Sequence, residues 1–262
     1  MEKDRTGLAE LLFVACFRPS RYKELVSRSR RFKVAYLCAV VLMIVFLETI
    51  IPFAAWDASV GGLKNLFLNR FPPFVIEKGE LDCDVPLSFK VSDSLHIKED
   101  ASVEKYTEDD LKEETYAMYF SRTNLVLKNG QVARTFPYSE LGDGKVDNGV
   151  LASTVPYLRA LIVFFVATRY IVVLIEYLLI LCFYGVLCRR IARDKDGKGM
   201  GFKGTFVVAL FARSFFAVLQ ALNHSLGDPV NVTIAMMVAA FLTISYIARA
   251  QIVILDIKLP GK

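Results

Sequence analysis

Four apolar stretches, at 34–55, 157–188, 205–222 and 232–255, constrain this chain more than any other feature of it. Each is near or above the roughly 20 residues with which a helix crosses a hydrocarbon layer roughly 30 Å thick. In such a layer every backbone N–H and C=O must be satisfied inside the protein, so these runs are read as spanning helices. The first exceeds the roughly 7–15 apolar residues of a cleaved signal and is read as an uncleaved anchor. The second is too long for a perpendicular crossing, so it starts above the membrane or tilts. Composition agrees with an apolar protein carrying a soluble insert. Hydrophobic residues make up 54% of the chain and charged ones 23%, with a mean hydropathy of +0.41.

A formal charge of +5 raises the question of nucleic acid, but the basic residues sit in short segments beside the apolar runs. That is how topology is encoded, and it excludes nucleic acid as a partner here. Segment 1–33 carries Lys3, Arg5, Arg18, Arg21, Lys23, Arg28, Arg30, Arg31 and Lys33. Segment 189–204 carries Arg189, Arg190, Arg193, Lys195, Lys198 and Lys203, whereas 223–231 carries no lysine or arginine. The two basic segments belong in the cytoplasm, with membrane lipids as partners of Arg28, Arg30, Arg31, Lys33, Arg189, Arg190 and Arg193. It follows that 56–156 is extracytoplasmic, that 223–231 is an outer loop, and that both termini, including the 256–262 tail, are cytoplasmic. Near the N-terminus, Leu8, Leu11, Leu12 and Ala15 recur at helical spacing. They suit a helix in the inner headgroup region or one packed beneath the bundle.

The expected fold class is therefore membrane α-helical: four transmembrane helices with an extracytoplasmic α+β domain between helices 1 and 2. In that domain 74–76 and 80–81 read as a hairpin turning at Gly79, and Val85, Leu87, Phe89 and Val91 alternate as a half-buried strand does. Thr107 and Asp110 resemble a capping box opening a short acidic helix. Residues 125–128 and 131–136, with Asn129-Gly130 between them, read as a hairpin on a two-residue turn. Residues 142–149 look like a linker into the second helix.

Little chemistry is visible. The only cysteine of the outer domain is Cys83, the chain has two histidines and no CxxC pair, and no structural zinc site is expected. Acids are dense at Asp82, Asp84, Asp93, Glu99 and Asp100, but without a calcium-loop spacing they read as a solvated surface, and Asp143 and Asp147 are wrongly spaced. No nucleophile motif or phosphate-cradling loop occurs, and the glycines of 197–201 read as a flexible connector. No cofactor is expected. More suggestive are the ionisable residues inside the apolar runs: Glu48, Arg169, Glu176 and Arg213, with Arg249 close enough to one end to snorkel. From a rise of about 1.5 Å per residue, Arg213 lies roughly 13 Å from the inner boundary, Glu176 roughly 18 Å, Glu48 roughly 21 Å and Arg169 roughly 28 Å. Arg213 and Glu176 are therefore expected to pair, with Arg169 on the face of Glu176 bracketing the cluster. The cluster reads as a structural clasp or, alternatively, as a site for an anionic group.

End to end, the chain resembles a bacterial family of uncharacterised four-helix membrane proteins, some named for maltodextrin utilisation. The resemblance lies in 16–22 (CFRPSRY), 71–80 (FPPFVIEKGE), 123–131 (TNLVLKNGQ) and 136–141 (FPYSEL). It implies a bacterial cytoplasmic membrane and an indirect link to sugar uptake, and it supplies no catalytic residues. The expected function is a non-enzymatic accessory or sensory protein whose outer domain contacts a membrane-protein partner or an extracytoplasmic ligand. The rival expectation is a small transporter or lipid-handling protein that binds an anionic group at the Arg/Glu cluster. An intramembrane enzyme is the weakest reading.

Overall fold

The computed structural model describes residues 8–18, 21–92, 95–142, 144–192, 197 and 199–255. In chain order, helices α1 (Leu8–Phe17) and α2 (Tyr22–Ser27) precede a helix made of α3 (Arg30–Val45), a π-helical turn (Phe46–Ile50) and α4 (Ile51–Val60). A short α5 (Leu63–Asn65) leads into the strands, and α6 (Asn148–Leu187), α7 (Phe202–Ser225) and α8 (Val232–Ile254) follow them. Among the described residues four helices are long and apolar enough to cross a membrane: Arg30–Val60, Asn148–Leu187, Phe202–Ser225 and Val232–Ile254. Contacts divide the chain into an apolar unit, Met1–Ala55 with Ile162–Lys262, and a second unit, Trp56–Leu161.

In the apolar unit α7 is the central element. Ala209, Ala212, Ala217 and Ala221 are buried along it, small enough for neighbouring backbones to come close. Helix α6 meets the core with larger side chains. Val173, Tyr177, Leu181, Tyr184 and Cys188 are all buried and keep a seven-residue seam. Of the two expectations for the N-terminal helix, packing on the bundle holds. Val14 and Ala15 of α1 are buried in the shared core, and the Phe17 ring lies 5.5 Å from that of Phe215 on α7. At one end of the bundle the fully buried Gln251 of α8 acts as an amide hub. It accepts from the Ala192 N–H at 3.1 Å and donates to the Cys188 carbonyl at 2.8 Å and to Thr205 Oγ1 at 3.4 Å.

The π-helical turn has a local cause. Pro52 lacks an N–H, so the Glu48 carbonyl has no donor four residues on, and the Ile51 N–H bonds back to Phe46 instead.

Among its described residues the second unit holds eight strands, β1 (Phe74–Glu77), β2 (Glu80–Cys83), β3 (Leu87–Ser92), β4 (Leu95–Glu99), β5 (Tyr116–Phe120), β6 (Asn124–Asn129), β7 (Val132–Pro137) and β8 (Val146–Asp147). They form a β2-β1-β8 sheet and a β3-β4-β5-β6-β7 sheet, in which only the β4–β5 pair is parallel. Leu111 and Tyr106, on the crossover between β4 and β5, cover Ala117, Tyr119 and Val126. Phe120 and Leu125, at the alternate positions, pack with Phe74, Ile76, Leu81 and Tyr138. The expected capping box is present, with the Thr107 N–H donating to Asp110 at 2.7 Å, but it opens a single 3₁₀ turn (Glu108–Leu111).

Both hairpins form, the second with a shifted turn. Glu77 pairs with Glu80 across Lys78 and Gly79, whose φ values of 53° and 80° are those of a type I′ turn. Asn129 pairs with Val132, so the loop is Gly130-Gln131 rather than Asn129-Gly130. Of those two only Gly130 has positive φ (62°), the type II′ pattern with glycine first.

The expected linker at 142–149 also ends sooner than its composition suggests. Asp147 accepts from the Val150 N–H at 3.0 Å, so α6 begins at Asn148 with Gly149 in its first turn. The 40-residue α6 is about 60 Å long at about 1.5 Å per residue, twice an apolar layer. The other spans also begin or end within a few residues of expectation.

Asn148 closes the second unit where its chain enters and leaves. Its carbonyl oxygen accepts from the Phe74 N–H at 3.0 Å, and its amide donates to the Phe67 and Pro72 carbonyls at 2.9 and 3.1 Å. Beside it β1 pairs with β8. Asn148→Ala strips a part-buried N–H and several carbonyls of their partner at once, and is expected to cost about 2 kcal/mol. A urea melt of the detergent-solubilised full chain, read with hydrogen exchange at the Phe74 amide, checks it. An unchanged midpoint and unchanged protection would refute the role.

Candidate functional site

Arg213 sits on the central helix, 9% exposed. Helical phase decides what surrounds it. Tyr177 and Tyr184, seven residues apart on α6, both face it. Residue 176 is turned about 100° away from residue 177. Glu176 is accordingly exposed and makes no ion pair among the described residues. The expected Arg213–Glu176 pair is thus not formed. Depth along the helix matched, but azimuth did not.

Instead, Arg213 Nη2 donates to the Gln220 side-chain oxygen, two turns along the same helix. Among the described residues no carboxylate neutralises Arg213. Its Nε is buried without an acceptor, and the Tyr177 hydroxyl beside it is buried without a partner. At the next residue of α7, the Tyr36 hydroxyl and Ser214 Oγ lie 2.7 Å apart, and Ser214 donates to the Phe211 carbonyl at 2.9 Å. The arrangement is a polar chamber of hydroxyls and one guanidinium, rich in donors and short of acceptors.

The other two cluster residues pair with each other. Arg169 Nη2 lies 3.3 Å from Glu48 Oε2, within the π-helical turn, and both side chains are partly exposed. The four expected residues therefore separate into an ion pair, a lone acid and a buried arginine.

Of the basic residues expected to face lipid, Arg30, Arg31, Arg189 and Arg190 are exposed, and Arg28 and Lys33 are partly so. Arg28 also stacks on the Phe32 ring at 5.7 Å. Arg193 lies outside the described residues.

In the second unit one acid departs from expectation. Glu99, grouped by its sequence neighbours with a solvated acidic surface, is 2% exposed at the end of β4, and its Oε2 has no partner. Asp82 and Asp84 are exposed, Asp100 is partly so, and Asp93 and Asp143 lie outside the described residues. Burial pushes the Glu99 carboxyl up from 4.5 to about 7. It acts on the hydroxyl of Tyr138, which burial raises well above its ordinary range, and on the Cys83 thiol, also raised by burial. Among the described residues no group of three or more histidines, cysteines or acids gathers to hold a metal ion.

A second polar group gave no sequence signal, because its members come from three strands and the loop that leads into β5. Ser88 Oγ lies 3.0 Å from His96 Nε2, and His96 Nδ1 lies 2.9 Å from Glu114 Oε1 and 3.0 Å from the Tyr119 hydroxyl. The order hydroxyl, imidazole, carboxylate is that of an activated nucleophile. Here Nδ1 is shared by two oxygens, and the group ties β3, β4 and β5 together across the sheet.

Two outcomes follow. Because native Glu99 holds a proton between pH 4.5 and 7 that the unfolded chain releases, stability falls as pH rises through that window, by up to about 3 kcal/mol. Thermal melts from pH 4 to 8 check this, and Glu99→Gln should flatten the slope; an unchanged slope would place the dependence elsewhere. Double-mutant cycles with Glu48→Gln and Arg169→Gln should show coupling on the order of 1 kcal/mol, and cycles with Glu176→Gln and Arg213→Gln none. The reverse ranking would restore the Arg213–Glu176 pair.

Comparison with curated proteins finds no match, and comparison with solved structures finds none. A family model described as "Protein of unknown function (DUF1189)" matches residues 10–250, covering the four apolar helices nearly in full and the strands between the first two. On that match, the chain belongs to the DUF1189 family.

Proposed function

We propose that this protein is a non-enzymatic accessory or sensory protein of a bacterial cell membrane, its strand-rich domain outside and both termini in the cytoplasm. The observation that carries the reading is the second unit itself. It has two hydrophobic clusters of its own and a stem closed by Asn148, so it is built as a module. Helices α4 and α6 continue without a break across the unit boundaries at Ala55 and Ile162. Support for the orientation comes from Arg30, Arg31, Arg189 and Arg190, all beyond the ends of the apolar runs that the domain is not attached to. The module's occupant is a ligand or a membrane-protein partner, and carbohydrate uptake supplies the condition under which to look for it.

A photo-crosslinking residue in place of Val132 or Phe136, both exposed on the edge strand β7, should capture a partner in living cells more strongly on maltodextrin than on glucose. A single cysteine at Gly130 should react with a membrane-impermeant maleimide in intact cells. Labelling only after lysis would overturn the orientation, and robust solute flux in liposomes would overturn the accessory role. A fluorophosphonate probe should leave Ser88 unlabelled. Labelling abolished by His96→Ala would make the domain an enzyme.

The donor-rich chamber around Arg213 favours a second reading, a site for a small anion within the bundle. Chloride- or carboxylate-dependent stabilisation lost in Arg213→Gln would select it.

A further inference from the structure

Beyond the last turn of α6 the chain carries Arg189 and Arg190, and it returns through a glycine-rich stretch to the start of α7. A cavity of about 590 Å³ lies here, lined by Arg189, Arg190, Gly199, Met200, Gly201 and Phe202 among others. Its walls are set by two close approaches that only glycine permits. A Cβ on Gly199 would stand 2.6 Å from the Arg189 carbonyl oxygen, so this backbone rests directly on the arginine segment. A Cβ on Gly185 would stand 2.8 Å from the Phe202 ring, so that ring seats in a notch on α6. The glycines expected to form a slack connector therefore include one that fixes a wall.

Among the described residues the lining carries two arginines and no acid. Both arginine side chains are exposed, and neither enters an ion pair among the described residues. Guanidinium groups bind phosphate oxygens in bidentate pairs, which a lysine cannot reproduce. The lining also includes the start of a 24-residue helix whose N-cap, Gly201, has no side chain to accept from the first-turn amides. The first intrahelical bond is from the Thr205 N–H to the Gly201 carbonyl at 3.0 Å. An uncapped helix start presents unsatisfied N–H groups and partial positive charge. Met200 and Phe202 make the remaining wall apolar, and the volume is that of a pocket for a whole small molecule.

We infer that this cavity binds a phosphate ester, with Arg189 and Arg190 clamping the phosphate and Met200 and Phe202 against its organic part. Lipid headgroups and soluble metabolites both supply such a group. The inference does not depend on what the strand-rich module contacts.

The test uses the purified full chain and three probes. Inorganic phosphate and glycerol 3-phosphate are titrated in detergent by thermal shift. Retention of phosphatidic acid against phosphatidylcholine is counted by native mass spectrometry after release from mixed-lipid nanodiscs. Expected is saturable binding of glycerol 3-phosphate, selective retention of phosphatidic acid, or both. Retention without soluble binding assigns a lipid headgroup, and soluble binding without retention assigns a metabolite. Arg189→Gln with Arg190→Gln should weaken the observed binding about tenfold or more, and the double lysine variant should fall between it and the native chain. Lys64→Gln with Lys105→Gln, two exposed lysines outside the lipid-facing set, removes equal charge elsewhere and should change it less than twofold. The inference fails if no probe binds the folded chain, or if the two glutamine pairs weaken binding equally, since that describes a merely cationic surface. A cooperative melt in each variant excludes misfolding as the cause.

Discussion

Polar side chains placed in an apolar bundle must find partners inside it, and on α7 that requirement settles which faces of the neighbouring helices turn inward. Arg213, Ser214 and Thr205 are all buried on this helix. Ser214 is met by Tyr36 from α3, Thr205 by Gln251 from α8 and Arg213 by Gln220 of its own helix, while Tyr177 and Tyr184 of α6 face Arg213. An unmet hydrogen-bonding group costs several kcal/mol in such surroundings, whereas apolar packing against lipid or against another helix is nearly equivalent. The polar contacts therefore select the rotation of each helix, and the alanines of α7 let the helices come close once rotated.

Amide side chains carry the closures elsewhere. Asn148 and Gln251 each use both ends of one amide to bind backbone from segments remote in sequence. An amide suits this task because it donates and accepts without a charge to desolvate. Each lies where a long helix begins or ends, the position at which backbone groups lack helical partners.

How far the chain was legible follows from what sequence period encodes. Length and hydropathy report the number and approximate limits of the apolar helices, and both hairpins announce themselves by their glycines. Azimuth is another matter. On α6 the stripe that turns inward is Tyr170, Tyr177 and Tyr184, and a search for charges passes over it to Glu176, one residue away and on another face. Because α6 is apolar nearly all round, no amphipathic contrast marks its buried side. Glu99 was misplaced for the opposite reason. Its acidic neighbours Asp82 and Asp84 are solvated, and only the fold, which brings Tyr138 and Cys83 near it, reveals that this carboxyl is covered. The start of α6 was obscured by Asn148-Gly149, a pair that ordinarily signals a turn and is overridden here by the Asp147 cap. Ser88, His96 and Glu114 have no common spacing to find, since strand pairing and the loop before β5 assemble them.

The pairing of β1 with β8 has a consequence for how this architecture can vary. These strands are the first and last of the module, held side by side at about the 4.8 Å spacing of neighbouring strands. Whatever lies between them is an excursion that departs and returns at one place. Its loops and its longer sheet can lengthen, shrink or be exchanged without moving the points at which α4 leaves and α6 arrives. The stem acts as a socket, and the strands it carries are its interchangeable head.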